Sequence, residues 1–157
     1  MHDVEIRQAE VCDAVAVEAC CFDAFSAYIP LIGRAPAPMG IDYKKAICEH
    51  TLFMAFYQNQ LAGFALIVDG EEDFMLLDVL AVHPAYHGNG IGGALILYVE
   101  AYILAHGKQE CRLCTNVKFT RTRSIYEHLG YELYDRKNED GYDRVYYRKM
   151  IYPGDSF

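Results

Sequence analysis

The segment HPAYHGNGIGGALI, residues 83–96, places four glycines within six positions directly before a long apolar run. Glycine packs no side chain and loses more backbone freedom on folding than any other residue. A tight turn or close helix packing accounts for one or two of these glycines, but not for four. The usual advantage of such a segment is that backbone N–H groups at a helix start can approach a ligand, often a phosphate. The sequence therefore predicts a helix whose N-terminus binds an anion.

Two nucleotide-binding motifs were compared with this segment. Residues 88–93 fit the dinucleotide pattern G-x-G-x-x-G, which also requires an acidic residue about 20 positions later, at the end of the next strand. The predicted strand 111–117 ends in Thr115-Asn116-Val117 and offers no acid. The nucleoside-triphosphate loop requires G-K-[ST], and the chain contains no Lys-Ser or Lys-Thr pair. A dinucleotide-dependent oxidoreductase stays open as a weaker alternative.

The hydrophobic pattern predicts an α/β chain with a mixed sheet. Apolar periodicity and turn residues define each element, and the proline-rich segment AYIPLIGRAPAPMGIDY, residues 27–43, is expected to be an irregular loop. Helices are predicted at 9–25, 42–49, 91–106 and 121–129. Strands are predicted at 4–8, 51–57, 61–68, 74–82, 111–117, 131–136 and 144–150, with the second to fourth forming an antiparallel meander.

Composition narrows the class of partner and compartment. The net charge of −8 argues against nucleic acid, which requires clustered Lys and Arg. Acidic residues near the start argue against a signal peptide, and the apolar run 91–99 is too short to span a bilayer, so we expect a cytoplasmic protein without membrane contact. A strand would point Cys111 and Cys114 to opposite faces, which argues against a metal or redox pair.

Two motifs resemble the GNAT superfamily of acyl-CoA-dependent N-acetyltransferases. Leu80-Ala81-Val82-His83-Pro84 followed by His87-Gly88-Asn89-Gly90-Ile91-Gly92 resembles its L-x-V-x-P strand and [RQ]-x-x-G-x-[GA] loop. Ile125-Tyr126-Glu127-His128-Leu129-Gly130-Tyr131 resembles its second motif, [LFI]-Y-x-x-x-G-[FY]. The resemblance implies a single N-acetyltransferase domain over residues 1–157. It also implies a mixed, mostly antiparallel sheet with flanking helices.

The resemblance also implies an acetyl-CoA site without a metal. Loop N–H groups would bind the pyrophosphate, and the pantetheine arm would pair with the strand backbone where two strands separate. The residues assigned to acetyl-CoA are Leu80, Ala81, Val82, His87, Gly88, Asn89, Gly90, Ile91, Gly92, Gly93, Asn116, Phe119 and Tyr126. Two positions depart from the family pattern. His87 replaces Arg or Gln, and Phe119 stands where an asparagine usually helps to hold the cofactor, which leaves Asn116 as a substitute.

Acetyl transfer to an amine requires a neutral nucleophile and a proton for the departing thiolate. A lysine-like amine has a pKa near ~10.4, so a base helps. The resemblance assigns Tyr126 as general acid or thiolate stabiliser. Asp78, a lone acid in the apolar strand 74–82, is the candidate base or water-holder. The structural alternatives are a core tyrosine and an aspartate making a buried hydrogen bond.

The loop 28–43 occupies the position where this family builds its acceptor site. Arg34 could bind an acceptor carboxylate, and Tyr28, Met39 and Tyr43 could line the pocket; the alternative is a proline-stiffened cover on the core. The acceptor is expected to be an amine of a small molecule or a protein. The tyrosine-rich C-terminal strands could provide a homodimer interface; the alternative is that they form a face of the core. The alternative function is a non-catalytic module that binds acyl-CoA.

Overall fold

A seven-stranded sheet forms the centre of the computed structural model, which describes residues 3–153. The strand order is β1-β2-β3-β4-β5-β7-β6, and β4 and β5 are the parallel neighbours while the other pairs are antiparallel. The strands are β1 (Val4–Gln8), β2 (Thr51–Tyr57), β3 (Gln60–Asp69), β4 (Phe74–Val82), β5 (Glu110–Asn116), β6 (Glu132–Glu139) and β7 (Tyr142–Met150). This arrangement confirms the predicted mixed, mostly antiparallel sheet.

Helices cover the two faces of the sheet and create two hydrophobic cores. The first core contains the inner side of α4, and the second contains α1 and α3 packed on β2, β3 and β4. The helices are α1 (Ala14–Phe25), α2 (Ile29–Ile32), α3 (Tyr43–Glu49), α4 (Ile91–Ala105) and α5 (Thr120–His128). The apolar sequence of α4 is explained by its position, since its side chains are buried along most of its length.

Glu100 is the charged residue buried inside α4. Its side chain is 0% exposed, accepts a hydrogen bond from Tyr131 at 2.8 Å and pairs with Lys149 at 3.1 Å. A buried carboxylate requires such partners, because its desolvation is otherwise costly. The pair fixes α4 to β7 and allows a charge inside a helix that the sequence marks as apolar.

The hairpin turns form as the sequence predicts, whereas the loop 27–43 differs. Gln58 and Asn59, and likewise Asp140 and Gly141, have positive φ, which suits the two-residue turns that join antiparallel strands. The segment predicted to be an irregular loop contains helical turns at Ser26–Tyr28, Ile29–Ile32 and Ala37–Gly40. Prolines occupy the first turns of the last two, where the missing N–H costs nothing.

One helical run is long and apolar enough to cross a membrane by length and composition. It is Val11–Ile32, 22 residues with a mean hydropathy of 1.6. This helical run is longer than the apolar run 91–99, which is the longest uninterrupted one in the sequence. Acidic residues interrupt the apolar pattern of 11–32, so the sequence did not indicate it. Its inner side chains, including Val17 and Phe25, pack in the second core, while Val15 and Phe22 are exposed. One side of the run is therefore part of the protein core.

Candidate active site

The parallel ladder between β4 and β5 is short, and the two strands separate beyond it. Its pairs run from Phe74 with Glu110 to Leu77 with Leu113. The later part of each strand lies on either side of a cavity, which is lined by Asp78, Val79 and Leu80 from β4 and by Cys114, Thr115 and Asn116 from β5. This is the separation of strands that the resemblance implied for the pantetheine arm.

A β-bulge in β4 places Asp78 at this opening. Leu66 of β3 is registered with Val79, and the next residue, Ile67, with Leu77, so Asp78 has no partner on β3. A bulge re-aims the side chains that follow it. Leu77 and Leu80 consequently lie in the same core, although strict alternation would place them on opposite faces. Asp78 itself opens to the cavity.

The glycine segment adopts the conformation that an anion site requires. Gly88 and Gly90 have φ of +86° and +76°, and Gly90 is the N-cap of α4. The first N–H group used inside the helix is that of Ala94, which bonds to Gly90 O at 3.0 Å. Helix geometry therefore leaves the N–H groups of the first turn without a partner in the helix. The helix dipole adds positive potential at the same point.

The remaining two glycines of the segment have different roles. A Cβ on Gly92 would lie 3.0 Å from Ile125 Cδ1, so this glycine allows α4 and α5 to pack closely. A Cβ on Gly93 would meet nothing within 4 Å. Gly93 lines a cleft of about 890 Å³ that runs between the glycine segment and α5. The absence of a side chain there keeps the cleft wide.

This cleft contains most of the predicted cofactor residues. They are Leu80, Val82, His87, Gly88, Gly90, Ile91, Gly92, Gly93 and Phe119. Residues at the start of α5 that the sequence analysis missed also line it: Thr120, Arg121, Thr122 and Ser124. Arg121 is the permanently charged side chain among the described residues of the cleft wall. The sequence feature that could have indicated this wall is the polar segment 120–124, which follows β5.

His87 lies in the cleft beside Arg121. Burial lowers the pKa of His87, and the positive charge of Arg121 and neighbouring His83 lower it further. A hydrogen bond to the Val82 backbone opposes this lowering. A neutral imidazole has a single N–H donor, and this contact uses it. His87 therefore lines the cleft without adding the positive charge that the arginine of the family motif would carry.

A second cavity, of about 290 Å³, adjoins the cleft at the strand opening. Phe25, Leu80 and Phe119 line both spaces, so they mark the junction. The wall away from the cleft is made by the loop before α3 and by the start of β7. Those residues are Pro36, Ala37, Pro38, Ile41, Tyr142 and Arg144. A ligand in the cleft and a second ligand in this cavity would meet beside Leu80.

Tyr126 and Asp78 both line the smaller cavity, as the sequence analysis predicted for the reacting centre. Tyr126 is 3% exposed, and its ring lies 5.8 Å from that of Tyr131 and 5.9 Å from that of Tyr147. Burial raises the pKa of its hydroxyl, so the group stays protonated. No side-chain hydrogen bond joins that hydroxyl to another residue of 3–153, which leaves it free to donate to a ligand.

Asp78 faces water in the cavity, yet nearby protein atoms remove much of its hydration. This desolvation raises the pKa of Asp78, and the charges of His50 and Arg144 oppose the rise. The alternative from the sequence was an aspartate that makes a buried structural hydrogen bond. The structure shows instead a carboxylate that is accessible to a ligand and more basic than an ordinary one. That combination suits a general base.

Four predicted cofactor residues lie outside the cleft, and one of them, Tyr126, lines the smaller cavity. Ala81 is buried in the second core. Asn89 directs its side-chain amide to Tyr86 O, at 3.1 Å. Asn116 lines the smaller cavity, and its side-chain oxygen accepts a hydrogen bond from Lys118 N. The side-chain oxygen of Asn116 therefore caps its own turn, and its role as a substitute for the missing amide stays a prediction.

The predicted acceptor residues are distributed differently from expectation. Tyr43 is 1% exposed and donates to Pro38 O at 2.8 Å, so it belongs to the core. Met39 packs against the same core. Tyr28 lines the cleft, 4.5 Å from the ring of Phe119. Arg34 lines neither space, and its guanidinium lies 4.0 Å from the centre of the Tyr142 ring. Its guanidinium donates to Asp140 O at 2.7 Å, which ties the loop to the β6–β7 turn.

Comparisons with known proteins agree with this geometry. The chain matches the acetyltransferase (GNAT) family over residues 21–131. It is 26% identical over 85 residues to an uncharacterised N-acetyltransferase of Mycobacterium bovis, which covers 54% of each chain. The chain thus spans about half the length of the curated relatives it matches first.

Solved structures share the fold. The PaiA N-acetyltransferase of Thermoplasma acidophilum, crystallised with coenzyme A, has a TM-score of 0.77 and 19% identity over 95% of this chain and 99% of that one. A GNAT family acetyltransferase of Elizabethkingia anophelis with acetyl-CoA bound has a TM-score of 0.72 and 16% identity over 95% and 99%. The family match covers more than two thirds of the sequence. The chain therefore belongs to the acetyltransferase (GNAT) family.

Proposed function

We propose that this protein is an N-acetyltransferase that moves the acetyl group of acetyl-CoA to a primary amine in a ternary complex. The observation that carries the proposal is the junction of two spaces beside Leu80. One is a cleft that ends at the free N–H groups of α4, and the other is a cavity that contains Asp78 and Tyr126. A co-substrate with a pyrophosphate and a long thioester arm suits the first space, and an acceptor suits the second.

Each group of the protein then has one task. The N–H groups at the start of α4, together with Arg121, bind the phosphates. Asp78, directly or through a water, takes the proton of the acceptor ammonium, so that the neutral amine attacks the thioester carbonyl. Tyr126 donates its proton to the sulfur as the C–S bond breaks. The attached nitrogen loses its second proton as the amide forms, and that proton restores the Tyr126 hydroxyl. General acid and base groups of this kind raise the reaction rate by roughly 10²–10⁴-fold.

The cavity dimensions favour a small acceptor. About 290 Å³ is near the lower end of ligand pockets, which range over roughly 300–1,000 Å³. We therefore favour a small-molecule amine over a protein amine.

The experiment is a thermal melt with acetyl-CoA, followed by an assay of free thiol release with a panel of amines. Ligand at 100 times its Kd adds about 2.7 kcal/mol to the free energy of unfolding, which raises the Tm of a domain of this size by several degrees. A shift with acetyl-CoA and thiol release that depends on an amine support the proposal. A shift without release from any amine supports the second candidate, a module that binds acyl-CoA without turnover. No shift at saturating acetyl-CoA contradicts both, and a shift with NADH would favour the dinucleotide site.

Self-association is a separate prediction. Among the C-terminal tyrosines, Tyr131 and Tyr147 are core residues, whereas Tyr134 and Tyr152 are exposed at the β6–β7 face and the C-terminal end. The exposed pair, with Leu133 and Met150, provides apolar area for a homodimer. Sedimentation of the purified protein checks this, and a monomer at all concentrations contradicts it.

A further inference from the structure

The small cavity contains two opposite charges that do not meet. Of the described residues that line it, only Asp78 and Arg144 carry permanent charge at neutral pH. They form no ion pair with each other, since the carboxylate paired with Arg144 is Glu139. A cavity with separated opposite charges is complementary to a molecule that carries the reverse charges at its two ends.

The backbone register gives the scale of that separation. Arg144 on β7 is registered with Asn116 on β5, while Asp78 follows the last β4–β5 pair, Leu77 with Leu113. The strand β5 thus lies between them, so their backbones are at least two strand spacings apart, roughly 10 Å. The long arginine side chain shortens the gap. A molecule bridging the two groups would need its own charges several bonds apart.

The guanidinium of Arg144 has capacity for a further anion. Its contact with Glu139 is a single one at 3.5 Å between partly exposed side chains, and such pairs hold their partners weakly. Glu139 also accepts a hydrogen bond from Tyr146. A guanidinium carries five N–H donors in a fork that matches a carboxylate or phosphate.

A second cation reinforces this end of the cavity. The guanidinium of Arg144 lies 5.2 Å from the centre of the Tyr142 ring, and that of Arg34 lies 4.0 Å from the same ring. Tyr142 lines the cavity, whereas Arg34 is not among its lining residues. Two guanidinium groups therefore contact one wall residue at the β7 end of the cavity. An entering anionic group would be attracted to them.

Resting on the proposed function, we propose that the acceptor is a small amine that also carries an anionic group, with its amine at Asp78 and its anion at Arg144. Amino acids with a carboxylate several bonds from the amine are the class that fits. Amines that bear a phosphate or phosphonate share the chemistry. Polyamines and simple alkylamines carry no anionic group and do not fit, because they would leave the guanidinium without a ligand.

Paired acceptors test the proposal by thiol release. The pairs are 4-aminobutyrate with n-butylamine, β-alanine with propylamine, and lysine with cadaverine; 3-aminopropylphosphonate tests the phosphate type. We expect kcat/KM to be at least 10-fold higher for the anionic member of a pair. Arg144→Gln should remove this preference, mainly through KM, and Arg144→Lys should keep part of it. Equal kcat/KM within the pairs, or a preference that survives in Arg144→Gln, would overturn the proposal.

Arg148→Gln is the matched control, because Arg148 is on the same strand but stacks on Tyr134 outside the cavity. It should leave the preference unchanged. A thermal melt with saturating coenzyme A plus each amine gives a readout that does not depend on turnover. A further shift with the anionic amines, lost in Arg144→Gln, supports the substrate class even if no thiol is released and the proposed activity fails. Equal shifts with both members of each pair count against the class while leaving acetyl transfer intact.

Discussion

Leu77 and Leu113 form the last registered pair between β4 and β5, and the two strands separate immediately beyond it. The bulge at Asp78 lies at the same point. One irregularity of the sheet therefore opens a cavity and directs a carboxylate into it.

Gly93→Asp should weaken acetyl-CoA binding without destabilising the free protein. The new carboxylate would stand in the cleft beside the expected pyrophosphate, while a Cβ there meets no neighbour. Asp in the first turn of a helix is favoured over Gly by propensity and by the dipole. We expect at least a 10-fold rise in Kd, about 1.4 kcal/mol. Titration calorimetry measures it.

Gly93→Asn is the control for that change, since it has the same shape without the charge. It should raise the Kd for acetyl-CoA much less than Gly93→Asp does. Equal effects of the two variants would mean that the cleft loses space rather than electrostatic complementarity. An unchanged Kd in both would place the phosphates away from the start of α4.

Asp78→Asn should lower kcat by roughly 10²–10⁴-fold while the thermal shift with acetyl-CoA is retained. Asp78 acts in its ionised form, and desolvation raises its pKa. Activity of the native protein should therefore fall as the pH drops through an inflection above the usual aspartate value of ~3.9. The charged and titratable groups around Asp78 are Arg144, His50, Cys114 and Tyr43.

The pH profile separates a base from a structural aspartate. Arg144→Gln removes a positive charge that opposes the rise, so the inflection should move to higher pH. In Asp78→Asn the inflection should disappear. A profile that keeps its inflection in Asp78→Asn assigns the titration to another group and leaves Asp78 without a role as base.

The fold was predictable from the sequence where local pattern decides it. The glycines around α4, the hairpin turn at Gln58-Asn59 and the strand Phe74–Val82 all follow from backbone chemistry and apolar periodicity. The sequence predicts the loop 27–43 as more irregular than it is, because proline breaks a helix interior but is tolerated in a first helical turn.

The site was only partly predictable, because its second half depends on contacts between distant segments. No local pattern shows that β7 follows β5 in the sheet and brings Arg144 to the cavity. The bulge at Asp78 is equally invisible, since the residues around it in β4 are apolar on both faces. Arg34 and Tyr43 were assigned to the acceptor on loop position alone. Packing of α3 instead buried Tyr43, and the β6–β7 turn engaged Arg34.

Asp13→Asn should destabilise the fold at neutral pH by about 1 kcal/mol. Asp13 forms two hydrogen bonds with Arg7 at 2.9 Å and accepts one from Glu10 N at 2.8 Å. These contacts lower the pKa of Asp13 to about 2 from its ordinary value of 3.8. The folded-state pKa is depressed, so this stabilisation is present above pH 4 and is lost as the pH falls toward 2.

Urea unfolding of the native protein and Asp13→Asn at pH 7, 4 and 2.5 measures that dependence. The difference in free energy of unfolding should be largest at pH 7 and should shrink at pH 2.5. A constant difference across this range would mean that the amide loses something other than the charge. Arg7→Gln should show the same convergence, since it removes the other half of the pair.

Tyr147→Phe should lower the stability of the protein, whereas Tyr126→Phe should lower kcat, although the two rings lie only 5.9 Å apart. The Tyr147 hydroxyl donates to Glu127 at 2.6 Å and accepts from Arg123 at 3.0 Å, so its loss should cost about 1–3 kcal/mol of stability. Tyr126 makes no such bond within residues 3–153, and Tyr126→Phe should therefore leave the free energy of unfolding nearly unchanged. If its proton goes to the departing thiolate, kcat should fall by roughly 10²-fold or more. Urea melts and single-turnover thiol release measure the two quantities. A Tyr126→Phe variant with native kcat would mean that Tyr126 lines the cavity but takes no part in catalysis.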